Sequence, residues 1–342
     1  MPRARSAHAG AGRAGLQLRN FHYVSIAGLL LGASLSTGCS THRLPLIAVV
    51  PRTTALVLWE AEHAGAETAA RHEGLSIYWN APTREDDVER QIEIMHRAIA
   101  DGAKGLVLAP DQSLALMVPV RDVVARGIPT VVVSSPLPIP PGGGLSYILN
   151  DEEATGRLAA ERIGQILNGK GTVAVLGVDP DVSGIVSRTR AFQSSLAAIA
   201  PGVRIIEEHA GGFNIAEAQD TADDVLARNP KLDVFLALNS AATRGVYLSL
   251  RRRGLLGKVK LVACEQELIP PLEAGEIDSI LVENTYEMGR LAIETIAAQL
   301  RGERVPPLVK LSPKLVTRQN LQDADVQRLL TMDWNGIGRS TP

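Results

Sequence analysis

From Leu44 onward the chain alternates two patterns. Short runs of consecutive apolar residues are followed by longer stretches in which apolar residues recur every three or four positions. The first kind predicts buried strands and the second amphipathic helices. Residues 46–50 form such a run. Pro51 and the threonines after Arg52 break it, and Leu58, Ala61, Gly65 and Ala69 then take helical spacing. Residues 75–79 predict a strand. Val88, Ile92, Met95 and Ile99 line the next helix, with Thr83 and Asp86 as its expected capping residues. Strands at 105–109 and 129–133 flank a helix at 116–125, and the Pro- and Gly-rich stretch 136–144 predicts a loop. Tyr147 to Leu149 lead out of it.

The alternation then restarts. A helix is predicted over 151–167, with Leu158, Ala159, Ile163 and Ile166 on one face and Gly169 past its end. Strands at 172–176, 203–208, 234–238 and 259–263 alternate with helices at 185–199, 216–227 and 242–253. Segments 267–274 and 280–282 complete this half. The helix 287–300, with Met288, Ala292 and Ile296 in register, can pack on either half. Beyond Thr317 the chain turns polar and predicts a tail. Repeated strand–helix units are the signature of parallel sheets covered by helices on both faces.

Composition narrows the function classes. The chain has 342 residues, 45% hydrophobic and 21% charged, which suits two ordinary globular domains. A net charge of −2 gives no basic footprint for nucleic acid. The first 20 residues carry Arg3, Arg5, Arg13 and Arg19 without an acid, and an apolar segment follows to Gly38. This order reads as an export signal over 1–38. It closes on Leu35-Ser-Thr-Gly-Cys39, which resembles a lipoprotein lipobox with Ser36 where an aliphatic residue is usual. The resemblance implies that Cys39 is acylated and anchors the mature chain. An uncleaved anchor and an ordinary signal peptide are the alternatives, and all three place the folded part outside the cytoplasmic membrane.

Enzyme and metal signatures are missing. The seven histidines form no HExxH or Cys–His cluster, and there is no GxSxG elbow or Walker loop. Asp86-Asp87 opens a helix, where negative charge suits the dipole. Cys264, at a strand end, reads as a buried cysteine rather than a nucleophile. What converges instead is a set of strand-end positions. In parallel sheets, ligands bind beyond the carboxyl ends of the strands. Arg52 and Trp59 follow the first strand, Ser134 and Ser135 another, and Asn239, Glu265 and Glu283 follow strands of the second half. Arg188 and Phe213 lie near helix-leading loops there. Each alone reads equally as a loop or core residue: Arg52 as a solvated cation, Trp59 as a cap on the core.

The runs Ile47-Ala-Val-Val-Pro51, Ala81–Gln91, Asp101–Pro110, Arg126–Val133, Glu273–Ile277 and Leu315–Asn320 resemble the sugar-binding proteins of ABC importers, in the ribose/xylitol-type branch. The resemblance covers about 45–320. It implies the type I periplasmic binding protein fold, shared with lac-repressor-type sensor domains: two doubly wound parallel-sheet α/β domains joined by a three-segment hinge near 149–151, 283–285 and 312. One lobe then comprises 39–149 and 285–312, the other 150–284 and 313–322, with a tail over 323–342. Carried over residue by residue, the family's stacking positions fall on Leu58, Trp59 and Phe213. Its hydroxyl-gripping positions fall on Ser134, with Ser135 beside it, Arg188, Asn239, Glu265 and Glu283. The family has an aspartate where Ser134 stands, so plain ribose is not the expected ligand. A larger or differently substituted sugar, or a polyol, is expected.

The function implied is capture of such a ligand for an ABC permease, by a monomer without cofactor, metal or catalysis. A ligand-sensing accessory to a membrane receptor or sensor kinase and a regulator of the lac-repressor fold are the rivals. The latter carries a DNA-binding segment where this chain has an export signal. One expected outcome follows for the leader. Cys39→Ala abolishes fatty-acid labelling and releases the protein from membranes; undiminished labelling contradicts the lipobox reading.

Overall fold

The computed structural model describes residues 43–211, 214–264 and 266–330. The expected leader with Cys39, and also Phe213 and Glu265, lie outside these described residues.

The first domain begins β1 (Leu46–Val50), α1 (Val57–Glu73), β2 (Ser76–Trp79), α2 (Val88–Ala100), β3 (Gly105–Leu108), α3 (Met117–Ala125), β4 (Thr130–Ser134) and β5 (Leu145–Asn150). The second runs α4 (Glu152–Ile166), β6 (Lys170–Val178), α5 (Ser183–Ile199), β7 (Gly202–Ala210), α6 (Ile215–Arg228), β8 (Val234–Ala237), α7 (Ser240–Arg252), β9 (Lys260–Ala263), α8 (Ile269–Ala274) and β10 (Ser279–Val282). Then follow α9 (Thr285–Leu300), β11 (Leu308–Leu311), β12 (Lys314–Thr317) and α10 (Ala324–Leu330).

The strands form two six-stranded sheets, ordered β11-β5-β4-β3-β1-β2 and β12-β10-β9-β8-β6-β7. All pairings are parallel except β12 with β10. The chain therefore passes between sheets after β5, after β10 and between β11 and β12. In each sheet the first strand lies between the second and third, so the order reverses there. That reversal opens a crevice at the carboxyl ends.

Strand residues alternate between two helical layers, as side chains of a pleated strand must. Ile47 and Val49 pack with α1 and α9, whereas Ala48 and Val50 pack with α2 and α3. In the second domain Ala174 and Leu176 face α6 and α7, and Val173 and Val175 face α4 and α5. The helix that could have packed on either half, α9, lies against α1.

Three local expectations differ from what forms. The α2 cap is Asp87, which accepts from the Arg90 N–H at 3.1 Å; Asp86 instead pairs with Arg84. The cap must sit one residue before the first helical turn, and that residue is Asp87. The stretch read as a polar tail contains α10, whose Val326 is fully buried against the second core. Val326, with Leu329 and Leu330 partly buried beside it, docks this short helix, too brief a pattern to stand out in a polar stretch. The strand read as 129–133 runs on to Ser134, where the backbone enters the left-handed region at φ 65°.

The α1–α9 contact is close enough to require glycine on both sides. A Cβ at Gly65 would lie 1.9 Å from the Tyr286 carbonyl oxygen, and one at Gly289 2.0 Å from that of Glu62. Overpacking of this kind costs about 1–3 kcal/mol or more. Gly289→Ala is therefore expected to lower the unfolding free energy by that amount, read as a lower urea midpoint; an unchanged midpoint contradicts so close a helix pair.

Candidate functional site

The carboxyl ends of the two sheets face one another across a cavity of about 60 Å³. Of the expected residues, Arg52, Leu58, Trp59, Ser134 and Ser135 line it from the first domain. Arg188, Asn239 and Glu283 line it from the other side. Eight of the ten expected binding positions thus meet at one place; Phe213 and Glu265 are the two outside the described residues.

On the first rim, Arg52 leaves β1 and is buried. Its Nε donates to the Pro110 carbonyl at 3.1 Å, and Nη2 donates to Ser135 Oγ at 3.0 Å and Ser134 Oγ at 3.5 Å. The guanidinium carbon stands 5.7 Å from the Trp59 ring centroid, a cation–π distance. Trp59 is itself part of the core under α1, and its Nε1–H donates to Glu85 Oε1 at 3.1 Å. Arg52 is thus a buried cation held through Nε and Nη2 rather than a solvated one. Trp59 is both a core side chain and a wall of the cavity. A non-glycine residue at positive φ costs of order 1–3 kcal/mol and persists only where surroundings impose it. Ser134 is held in that state beside Arg52.

The second rim is built on a buried charge cluster. Arg188, on α5, donates through Nε to Glu152 Oε2 at 2.6 Å, through Nη1 to the Leu238 carbonyl at 2.9 Å, and through Nη2 to Glu283 Oε1. Glu283 also accepts from Asn150 Nδ2 at 2.6 Å. Glu152 and Asn150 belong to the first passage between domains, and Glu283 to the second. Burial works against the Arg188 charge, but Glu152 and Glu283 more than offset it and hold the group protonated well above its ordinary range. Burial raises the Glu152 carboxyl, opposed by Arg188. Cys264 lies 3.7 Å from Arg188 Nη1, and burial pushes its thiol up to about 12, so it stays a thiol and carries no nucleophilic role.

Asn239 caps α7: its Oδ1 accepts from the Ala242 N–H at 2.8 Å, and its Nδ2 reaches the Gly177 carbonyl at 3.4 Å. The carboxamide is therefore largely committed to local structure. Glu85, Glu152 and Gln266 also line the cavity and escaped the sequence reading. Glu152 sits in the first turn of a helix, where an acid reads as a favourable dipole partner, so nothing local marked it out.

The domains touch across the cleft mouth. Ser113 N donates to the Asp181 carbonyl at 3.3 Å, Ser113 Oγ meets Ser183 Oγ at 3.0 Å, and Ser183 Oγ donates to the Pro136 carbonyl at 2.8 Å. The two rims are therefore closed on one another. A cavity of about 60 Å³ is smaller than the roughly 150 Å³ that accepts a benzene ring. A ring-sized ligand enters only when the domains move apart or the arginines swing aside.

A two-domain α/β molecule with crossing segments at the floor of a polar cleft has counterparts. Residues 47–304 match the model of the periplasmic binding protein domain. The chain belongs to that family. It is 26% identical over 296 residues to the D-allose-binding periplasmic protein of Escherichia coli K12, covering 83% of this chain and 93% of the relative. It is 26% identical over 295 residues to the D-ribose/D-allose-binding protein of Pseudomonas aeruginosa, covering 80% and 91%. Among solved structures, an ABC transporter solute-binding protein of Agrobacterium vitis, bound with α-D-tagatopyranose, aligns with a TM-score of 0.78 at 25% identity. That alignment covers 83% of this chain and 98% of the other. The family and these relatives are binding proteins, not enzymes.

One buried group beneath the site makes stability depend on pH. Glu62 lies one turn beyond Trp59, fully buried, and neither carboxylate oxygen has a hydrogen-bond partner among the described residues. Burial pushes its pKa from 4.5 to about 8, against the pull of Arg52. A folded-state pKa above the unfolded one means the folded protein binds the extra proton. Its stabilisation is full below pH 4.5 and lost as pH rises through 8. Glu62→Gln, neutral and of the same shape, is expected to remove this slope and to be more stable than the parent at pH 9. Urea midpoints across that range test it; superimposable pH profiles contradict it.

Proposed function

We propose that the protein captures a small sugar or polyol-like ligand in the interdomain cleft and delivers it to an ABC-type permease. The observation that carries this reading is the meeting of two rims from separate domains, Arg52, Trp59, Ser134 and Ser135 against Arg188 and Glu283, around one cavity. Guanidinium, carboxylate and hydroxyl groups supply the donors and acceptors that sugar hydroxyls need, and the Trp59 face suits the apolar side of a ring. Hinge closure then reports occupancy. The relatives named above for allose and ribose support the ligand class.

The ligand is a larger or differently substituted sugar, or a polyol, rather than plain ribose, because Ser134 has less reach and no charge where the family uses a carboxylate. Cys39 lipidation would tether the folded part on the periplasmic or outer face of a membrane. No helix among the described residues is long and apolar enough to cross one.

Calorimetry against pentoses, hexoses and polyols tests the reading. One-to-one binding of at least one of them is expected, and Trp59→Ala should weaken it about tenfold or more. Because Trp59 also packs in the core, Trp59→Phe is the companion variant: it keeps most of the volume while losing the N–H to Glu85. Ser134→Asp is expected to raise affinity for simple sugars, since aspartate tolerates the left-handed backbone and charge-assisted hydrogen bonds are worth about 1.5–3 kcal/mol. Submicromolar ribose binding by the unmodified chain contradicts the ligand assignment, and no binding across the whole panel contradicts the cleft reading.

A further inference from the structure

Beside the sugar cleft lies a second cavity of about 280 Å³, again between the domains. Glu85 stands in the wall of both. Apart from Gln112, the remaining polar side chains of the wall are acidic: Asp86 and Asp111 from the first domain, Asp179 and Asp181 from the second. Among the described residues no lysine or arginine lines it. Arg84 is the partner of Asp86, and Arg52 is engaged by Ser135 and Pro110.

Asp111 is the informative member. It is 1% exposed, and neither carboxylate oxygen has a hydrogen-bond partner among the described residues. Its position is not loose. The Asp111 N–H donates to Gln91 Oε1 at 3.1 Å, and Gln91 Nε2 in turn donates to the Pro51 and Ala109 carbonyls at 3.1 and 2.8 Å. A buried carboxyl without partners costs stability, so a firmly placed one in a cavity wall signals a missing donor. Burial pushes the Asp111 carboxyl up to about 9, against Arg52 and reinforced by Glu85, Asp86 and Asp87. Burial raises Asp179 as well, opposed by the Asp181 N–H, which donates to its Oδ1 at 2.8 Å, and by Arg52.

We propose that this cavity is a subsite for a protonated amine, so that the ligand is an aminated sugar or polyol whose ring lies in the main cleft and whose ammonium reaches Asp111. The inference rests on the sugar-cleft reading and narrows its ligand class. A bare metal ion fits less well, because the described carboxylates form no group that could hold one. An ammonium carries three donors and can be shared among acceptors spread over both domains. Burial favours the protonated form of Asp111 in the free protein. The incoming cation favours its charged form, so binding releases a proton.

Calorimetry on the full mature chain tests this. D-glucosamine, D-galactosamine, D-mannosamine and an amino-inositol are each compared with the parent bearing a hydroxyl in place of the amine, at neutral pH, in phosphate and in Tris. At least one amine is expected to bind about tenfold or more tightly than its parent, with an enthalpy that differs between the buffers because a proton leaves Asp111. In Asp111→Asn the amine-to-parent affinity ratio is expected to fall towards one and the buffer dependence to vanish. Asp179→Asn, at the opposite wall, should lower the ratio too and covers the case in which Asp111→Asn does not fold. Neutral sugars binding as well as every amine would overturn the subsite while leaving the sugar cleft standing. Failure of both amines and parents to bind would overturn the two together.

Discussion

The arrangement hangs on one buried cation. Arg188 is 4% exposed, and a guanidinium so placed must be paired. Its partners are Glu152, Glu283 and the Leu238 carbonyl, drawn from the first passage between domains, the second passage and the end of β8. Removing one member of such a cluster leaves an uncompensated charge, typically at about 3–5 kcal/mol. Hinge geometry, the second rim and the folding of the second domain are therefore coupled through a single side chain. Asn150, reaching Glu283 from the end of β5, extends the coupling to the first sheet.

The first rim follows the opposite logic. There Arg52 is held by a carbonyl, two hydroxyls and an aromatic face, all neutral, so its charge is projected outward over Asp111, Glu62 and Asp179. Burial raises the pKa of each of those acids, while Glu152 and Glu283 are compensated by Arg188. A cleft built this way can take hydroxyl groups along its arginine-bearing walls and charge at its acidic end. Closure brings both ends together, since the Ser113–Asp181 and Ser183–Pro136 bonds form only with the domains in contact.

Much of the fold was legible because strands and helices here differ in period, and parallel sheets buried on both faces leave unbroken apolar runs. Leu46–Val50 and Val88–Ala100 are where the pattern placed them. Eight candidate binding positions converge because strand ends converge in this topology. The rest was hidden for physical reasons. Glu62 sits in a helix whose periodicity gives no warning that a carboxylate is fully buried, since burial depends on α9 arriving from far along the chain. Asp111 and Glu152 resemble ordinary loop and first-turn acids until the second domain closes over them. The positive φ of Ser134 belongs to a residue type that rarely adopts it, so composition could not reveal it. Asn239 was legible as a strand-end residue, but its capping of α7 depended on the helix start being known.

If the two-domain ligand site forms by closure of the hinge, ligand must shorten the distance between the domains. Spin labels at Leu114 and Pro180, which flank the cleft mouth on opposite domains and line one cavity there, measure it directly. Cys264 is half-buried in the cleft wall, so it is replaced by alanine to keep it from competing for the labels. With a ligand that calorimetry shows to bind, a single short distance is expected, and without it a broader distribution reaching longer distances. Identical distributions with and without that bound ligand would contradict closure as the event that makes the site.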